Sequence, residues 1–150
     1  ILEQLRRSLQ DGRERLEEWK RESLALQQAG LAPTDIGYVN AHGTATIKGD
    51  LAETKAIAQV FGSYTVPVSS TKGATGHMMG AGGITECIAC IQAIRTGVLP
   101  PTLHFTAQDE ASQPLSIVGP TPLRREINAA MSNALGFGGQ NSSIIVGRYT

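Results

Sequence analysis

Apolar positions along the chain change period several times, and each change marks an element. At the start, Leu2, Leu9, Leu16 and Ser23 fall seven apart, as do Leu5, Gly12, Trp19 and Leu26, and six of these eight positions are apolar. This heptad spacing predicts an amphipathic helix, interrupted near Gly12 and stopped at Ala29-Gly30, that either lies on the body or docks a partner. Ala32-Pro33-Thr34-Asp35 reads as a turn. Ile36 to Ala41 reads as a buried strand that leaves through the polar run Asn40 to Thr46. Asp50 with Glu53 three residues on has the spacing of a capping box, for a helix running through Phe61 to a stop at Gly62. Val66 to Ser70 is a second strand, running into Lys72-Gly73-Ala74-Thr75-Gly76-His77. Ile84, Cys87, Ile88, Ile91 and Ile94 recur at helical spacing and predict a helix from about Gly82 to Arg95 with that stripe in the core. Residues 102 to 125 lack a period and read as loop, and Ile127–Asn133 and Ser142–Tyr149 read as strands around a Gly-rich turn. Strands alternating with helices predict an α/β layered architecture.

Composition adds one domain-level feature. The 150 residues are 41% apolar and 17% charged with formal net charge zero, which suits one modest globular unit and gives no electrostatic case for nucleic acid or an anionic membrane. The charges are unevenly placed: residues 1–22 hold six of the 13 Lys/Arg and six of the 13 Asp/Glu. A charged helical leader, 1–22, is therefore expected before a low-charge body, 23–150. Two cysteines are too few for a disulfide framework, and no apolar run approaches the roughly 20 residues of a membrane span, so a cytoplasmic protein is expected. The opening on Ile1 suggests a fragment or a processed piece.

His42 and His77 each sit in a polar, Gly-containing loop just after a predicted strand, where α/β proteins place ligands and catalytic groups, and Lys72 lies five residues before the second. Neutral imidazoles there could donate hydrogen bonds to a developing oxyanion, with a nearby ammonium setting the field. His104 lacks such a setting and reads as a surface residue. Cys87 and Cys90 share the face of the predicted isoleucine stripe, so they read as small core residues, and no metal site is expected. Gly80-Ala81-Gly82-Gly83 has Thr85 where a dinucleotide fingerprint needs its third glycine. Asp50 and Glu53 either cap a helix or form part of the site, with Glu53 holding Lys72.

Taken together, three ordered motifs resemble the C-terminal half of β-ketoacyl-acyl-carrier-protein synthases, most closely the elongating type II enzymes and their polyketide relatives. They are His42-Gly43-Thr44-Ala45-Thr46 with Asp50 and Glu53; Ser69-Ser70-Thr71-Lys72 with Gly76-His77; and Ser132-Asn133 with Gly136-Phe137-Gly138-Gly139 and Asn141. The resemblance covers roughly residues 23–149. It implies half of a thiolase-like layered α/β fold, usually dimeric, and an acyltransferase of fatty acid or polyketide biosynthesis that performs decarboxylative Claisen condensation with malonyl-carrier protein. By this resemblance His42 and His77 stabilise the thioester carbonyl, and Lys72 supports them with Glu53 as its acidic partner. Thr44 and Thr46 bond the phosphopantetheine arm presented by acyl carrier protein, no cofactor being bound otherwise, and Phe137 between Gly136 and Gly138 gates the acyl chain. Asp50 and Asn133 support the site. Ala45 stands where the motif usually has Gly or Ser. The family's cysteine nucleophile belongs to the first half, and neither Cys87 nor Cys90 matches it. The expected partners are therefore acyl carrier protein and either a second copy or a complementary Cys-bearing half. The alternative is a non-catalytic docking or structural remnant.

Overall fold

The structure, a computed structural model, describes residues 20–108 and 110–149. Most of the heptad leader, residues 1–19, lies outside them. The first described helix, α1, covers residues 20–29 and ends at Gly30, whose φ of 65° only glycine adopts without strain. Leu31 N–H reaches back to the Leu26 carbonyl at 3.1 Å, which closes the helix end. The boundary expected at residue 22 falls inside this helix. Glu22 is buried and accepts a hydrogen bond from the Asn133 side chain, 111 residues away.

A five-stranded sheet follows, built from β1 (Tyr38–Asn40), β2 (Pro67–Ser69), β4 (Ser116–Ile117), β6 (Ala129–Leu135) and β7 (Asn141–Gly147) in the order β4-β2-β1-β6-β7. All neighbours are parallel except β6 and β7, which form an antiparallel hairpin across a turn at Phe137–Gly139. β3 (Val98–Leu99) and β5 (Leu123–Arg124) pair separately and antiparallel. These short strands and β4 lie in or beside the stretch that reads as loop. With two residues each they are too short to show alternation.

Side chains on the central strands alternate between two cores, as the two-residue period of a strand requires. Val39, Val68, Ala129 and Met131 pack on one face with Leu26 of α1 and with Ile57 and Phe61 of α2 (Ile47–Phe61). Tyr38 and Ala130 pack on the other with Cys90, Ala93 and Ile94 of α4 (Gly82–Thr96). The sheet is thus covered on both faces, as parallel strands demand. Between β2 and α4 lies the short α3 (Lys72–Thr75).

Two expectations about the helices are corrected. α2 starts at Ile47, three residues before Asp50, with Thr46 at its N-cap, so Asp50 and Glu53 form no capping box. In α4 most of the expected stripe points outward, with Ile84 62%, Ile88 50% and Ile91 39% exposed, while Ile94 lies in the core as expected. The sheet side carries Gly82, Glu86, Cys90, Ala93 and Ile94 instead. Small side chains let the helix approach the strands closely, which residue size on the opposite face conceals. Cys90 is fully buried, while Cys87 is half-buried. Among the described residues no helix is long and apolar enough to cross a membrane.

Candidate active site

The two histidines emerge from the C-terminal ends of adjacent parallel strands. His42 follows β1 and His77 follows α3, which directly extends β2. Their rings lie 5.6 Å apart and nearly perpendicular. At this separation the two rings flank one small space, as a pair of N–H donors serving a single acceptor requires.

His42 is held through its backbone. Glu53 is buried, and its Oε1 accepts the His42 N–H at 2.7 Å while Oε2 accepts the Gly43 N–H at 2.9 Å. Burial raises the Glu53 carboxyl above its usual range, and these two bonds oppose that rise. Burial, then the Lys72 ammonium and then His77 push the His42 imidazole down to about 4, so the ring is neutral at physiological pH. Its Nδ1 is buried with no hydrogen-bond partner among the described residues. A buried unpaired N–H costs more than a bare lone pair, which favours the proton on Nε2. His77 Nδ1 accepts the Met79 N–H at 3.2 Å, so a neutral ring there also carries its proton on Nε2.

Lys72 does not pair with Glu53. Its ammonium bonds Glu86 of α4, and both side chains are buried. The physical reason is the turn of α4, which carries Glu86 to the sheet side beside α3 while Glu53 is used up on two backbone N–H groups. Glu86 joins the site although motif spacing does not single it out. Its signal was a lone carboxylate inside an apolar helical stretch.

Around this centre the HGT-type loop is tightly built. Gly43 has φ +35°, and a Cβ there would lie 2.7 Å from Ser70 Cβ. Thr44 and Thr46 hydroxyls are 3.2 Å apart. Ala45 sits at φ 60°, the conformation that suits the Gly usual at that place and strains alanine. Half-burial raises the Asp50 carboxyl, against backbone hydrogen bonds from Thr46, Ala45 and Thr44. A cavity of about 710 Å³ opens here, bordered by Thr44, Asp50, Lys72, His77, His104 and Leu115. His104 is exposed, at φ 63°.

The other expected residues lie further along. Asn133 is buried in β6, engaged with Glu22 and with Ser143 Oγ at 2.9 Å, while Gly136 and Phe137–Gly139 form the β6–β7 turn. Burial pushes the Cys90 thiol up to about 12, and its Sγ contacts the Met131 carbonyl at 3.6 Å. No cluster of three or more His, Cys, Asp or Glu suited to a metal occurs among the described residues.

Comparison with known proteins identifies the family of the fold. Residues 15–106 match the model of the β-ketoacyl synthase C-terminal domain. The chain is 44% identical over 126 residues to the chloroplastic 3-oxoacyl-[acyl-carrier-protein] synthase II of Arabidopsis thaliana, covering 83% of this chain and 23% of that one. A crystal structure of a β-ketoacyl synthase from Burkholderia phymatum superposes with a TM-score of 0.84 at 37% identity, covering 89% of this chain and 32% of its own. A type II polyketide ketosynthase in complex with its acyl-carrier protein, bound to the hexaketide, gives the same TM-score at 27% identity, over 89% and 33% of the two chains. The chain therefore spans about a quarter to a third of these relatives. A match over most of the chain, on a thiolase-like α/β fold, places it in the β-ketoacyl synthase family, as a C-terminal domain of that family.

Proposed function

We propose that the chain carries the decarboxylating part of a β-ketoacyl-acyl-carrier-protein synthase site, acting on malonyl thioester presented on the phosphopantetheine arm of acyl carrier protein. The observation that carries this reading is the pair of rings 5.6 Å apart, each set to donate from Nε2. As malonyl loses CO2, the electron pair of the breaking C–C bond moves toward the thioester, and charge builds on its oxygen. Two ring N–H donors held side by side by the fold would stabilise the enolate without first having to reorganise. Burial keeps the His42 ring neutral, and the Lys72 ammonium held by Glu86 adds to that effect. Thr44 and Thr46 are the groups we assign to the carrier arm, and Phe137, between Gly136 and Gly138, to the acyl gate.

Condensation then needs an acyl thioester on a nucleophile. Cys90 is a poor candidate, being buried in the core with its thiol pushed up. We assign the nucleophile to the part of the synthase that this chain does not span. The exposed face of α4, with Ile84, Ile88 and Ile91 beside exposed Met78 and Met79, supports a covering partner of that kind. The polyketide ketosynthase captured with its acyl-carrier protein supports carrier protein as the second partner.

The test is to incubate the chain with malonyl-carrier protein and follow its conversion to acetyl-carrier protein by mass. The expected rate exceeds that of His77→Ala by about 100-fold, the order lost with one oxyanion donor. Equal rates for the two proteins, also after adding a Cys-bearing partner half, overturn the proposal in favour of a non-catalytic docking role.

A further inference from the structure

The two histidine loops leave neighbouring strands whose ladder ends at the Asn40–Ser69 pair. One side chain ties the loops together beyond that point. Ser70 Oγ donates to the Gly43 carbonyl at 2.8 Å, across 27 residues of sequence. The same hydroxyl accepts the Lys72 N–H at 3.4 Å, and the Ser70 N–H donates to Thr102 Oγ1 at 3.2 Å. Thr102 is itself fixed, its N–H bonded to the Val118 carbonyl at 3.0 Å.

We infer that Ser70 is a positioning residue, whose hydroxyl fixes the His42-Gly43 segment, through the Gly43 carbonyl, against the segment that carries Lys72 and His77. Its catalytic meaning rests on the function proposed above. Glu53 holds the two N–H groups of that peptide segment from one side, and Ser70 holds its carbonyl from the other. The close approach of Gly43 to Ser70 leaves no room for a larger side chain at 43 to replace the bond by packing. Removing the hydroxyl leaves the Ala41 N–H bond to the Ser69 carbonyl at 2.9 Å and the two N–H bonds to Glu53, all on the near side of Gly43, and the segment can turn about them. A displacement of about 1 Å is enough to cost around 100-fold in a positioned reaction.

The experiment follows the His42 ring by NMR titration in the 150-residue chain with Ser70→Ala. In the parent chain burial, then Lys72 and His77, hold the His42 imidazole down at about 4. In the variant its proton affinity rises at least about tenfold toward an ordinary imidazole, because the ring moves away from Lys72 and toward solvent. Ile57→Val, which loosens the α2 core without touching these bonds, leaves the His42 titration in place. In the malonyl-carrier assay Ser70→Ala lowers kcat by about tenfold or more with KM nearly constant. Should Ser70→Ala fail to fold, Thr102→Val removes the acceptor for the Ser70 N–H at nearly constant shape and shifts His42 in the same direction. An unmoved His42 titration in the folded variants overturns the inference. A moved titration in a chain without decarboxylation leaves Ser70 standing as a positioning residue and removes the function proposed for the site.

Discussion

His42 is neutral because of what surrounds it, and that has a measurable consequence for stability. A folded ring that protonates near 4 binds fewer protons than the unfolded chain, whose histidine protonates at its ordinary 6.5. Between these values the unfolded state gains protons first, so His42 costs stability as pH falls from 6.5 and reaches its full cost below about 4. Asp50 and Glu53, raised in the fold, act with the opposite sign, since their folded forms take protons first. The contribution of His42 is therefore read by difference. The stability of the parent chain minus that of His42→Gln should rise with pH between 4 and 6.5 and be flat above, in urea titrations across that range. A flat difference throughout would mean that the ring is ordinary. At this scale the sequence was informative about identity but not about pairing. The loops of His42 and His77 single these rings out and the structure brings them together, whereas Glu86 as the partner of Lys72 is hidden, because that pairing depends on which face of α4 meets the sheet.

That face is a property of the element. Apolar residues lie on both sides of α4, Ile84, Ile88 and Ile91 on one and Cys90, Ala93 and Ile94 on the other, so helical period alone cannot say which is buried. The strands were legible because alternation and Gly-rich exits bound them. β1 and β2 lie inside the expected spans, and β6 and β7 are displaced by about two residues from theirs. The early start of α2 was hidden because Asp50 and Glu53 have the spacing of a cap while serving a loop. A paired substitution separates the two faces of α4. Cys90→Leu, forced into a filled core, should destabilise the chain by about 1–3 kcal/mol. Ile88→Lys, on the exposed side, should change its stability by less than about 0.5 kcal/mol. Thermal melts of both variants check this, and a destabilising Ile88→Lys would place the isoleucine face in the core after all.

For the whole molecule the question is what completes it. The chain covers about a quarter to a third of its relatives, and its described residues combine a histidine pair with an exposed apolar face on α4, the face to which the proposed function assigns a Cys-bearing partner. Mixing the chain with a Cys-bearing ketosynthase half should restore condensation of an acyl thioester with malonyl-carrier protein, assayed as β-ketoacyl product. Ile88→Lys should abolish that restoration while leaving decarboxylation by the chain alone in place. Restoration that survives Ile88→Lys would mean that the partner binds elsewhere.

The strand order also governs when the chain can fold. β1 pairs on one side with β2, about 30 residues later, but on the other with β6, where Tyr38 meets Ala130. During synthesis the strand that leads into His42 is therefore left with an open, sticky edge until the last two strands have emerged. The β6–β7 hairpin acts as a latch that arrives last. Any truncation that removes it leaves the motifs in the sequence but strands β1 half-paired, a species better suited to chaperones and aggregates than to chemistry.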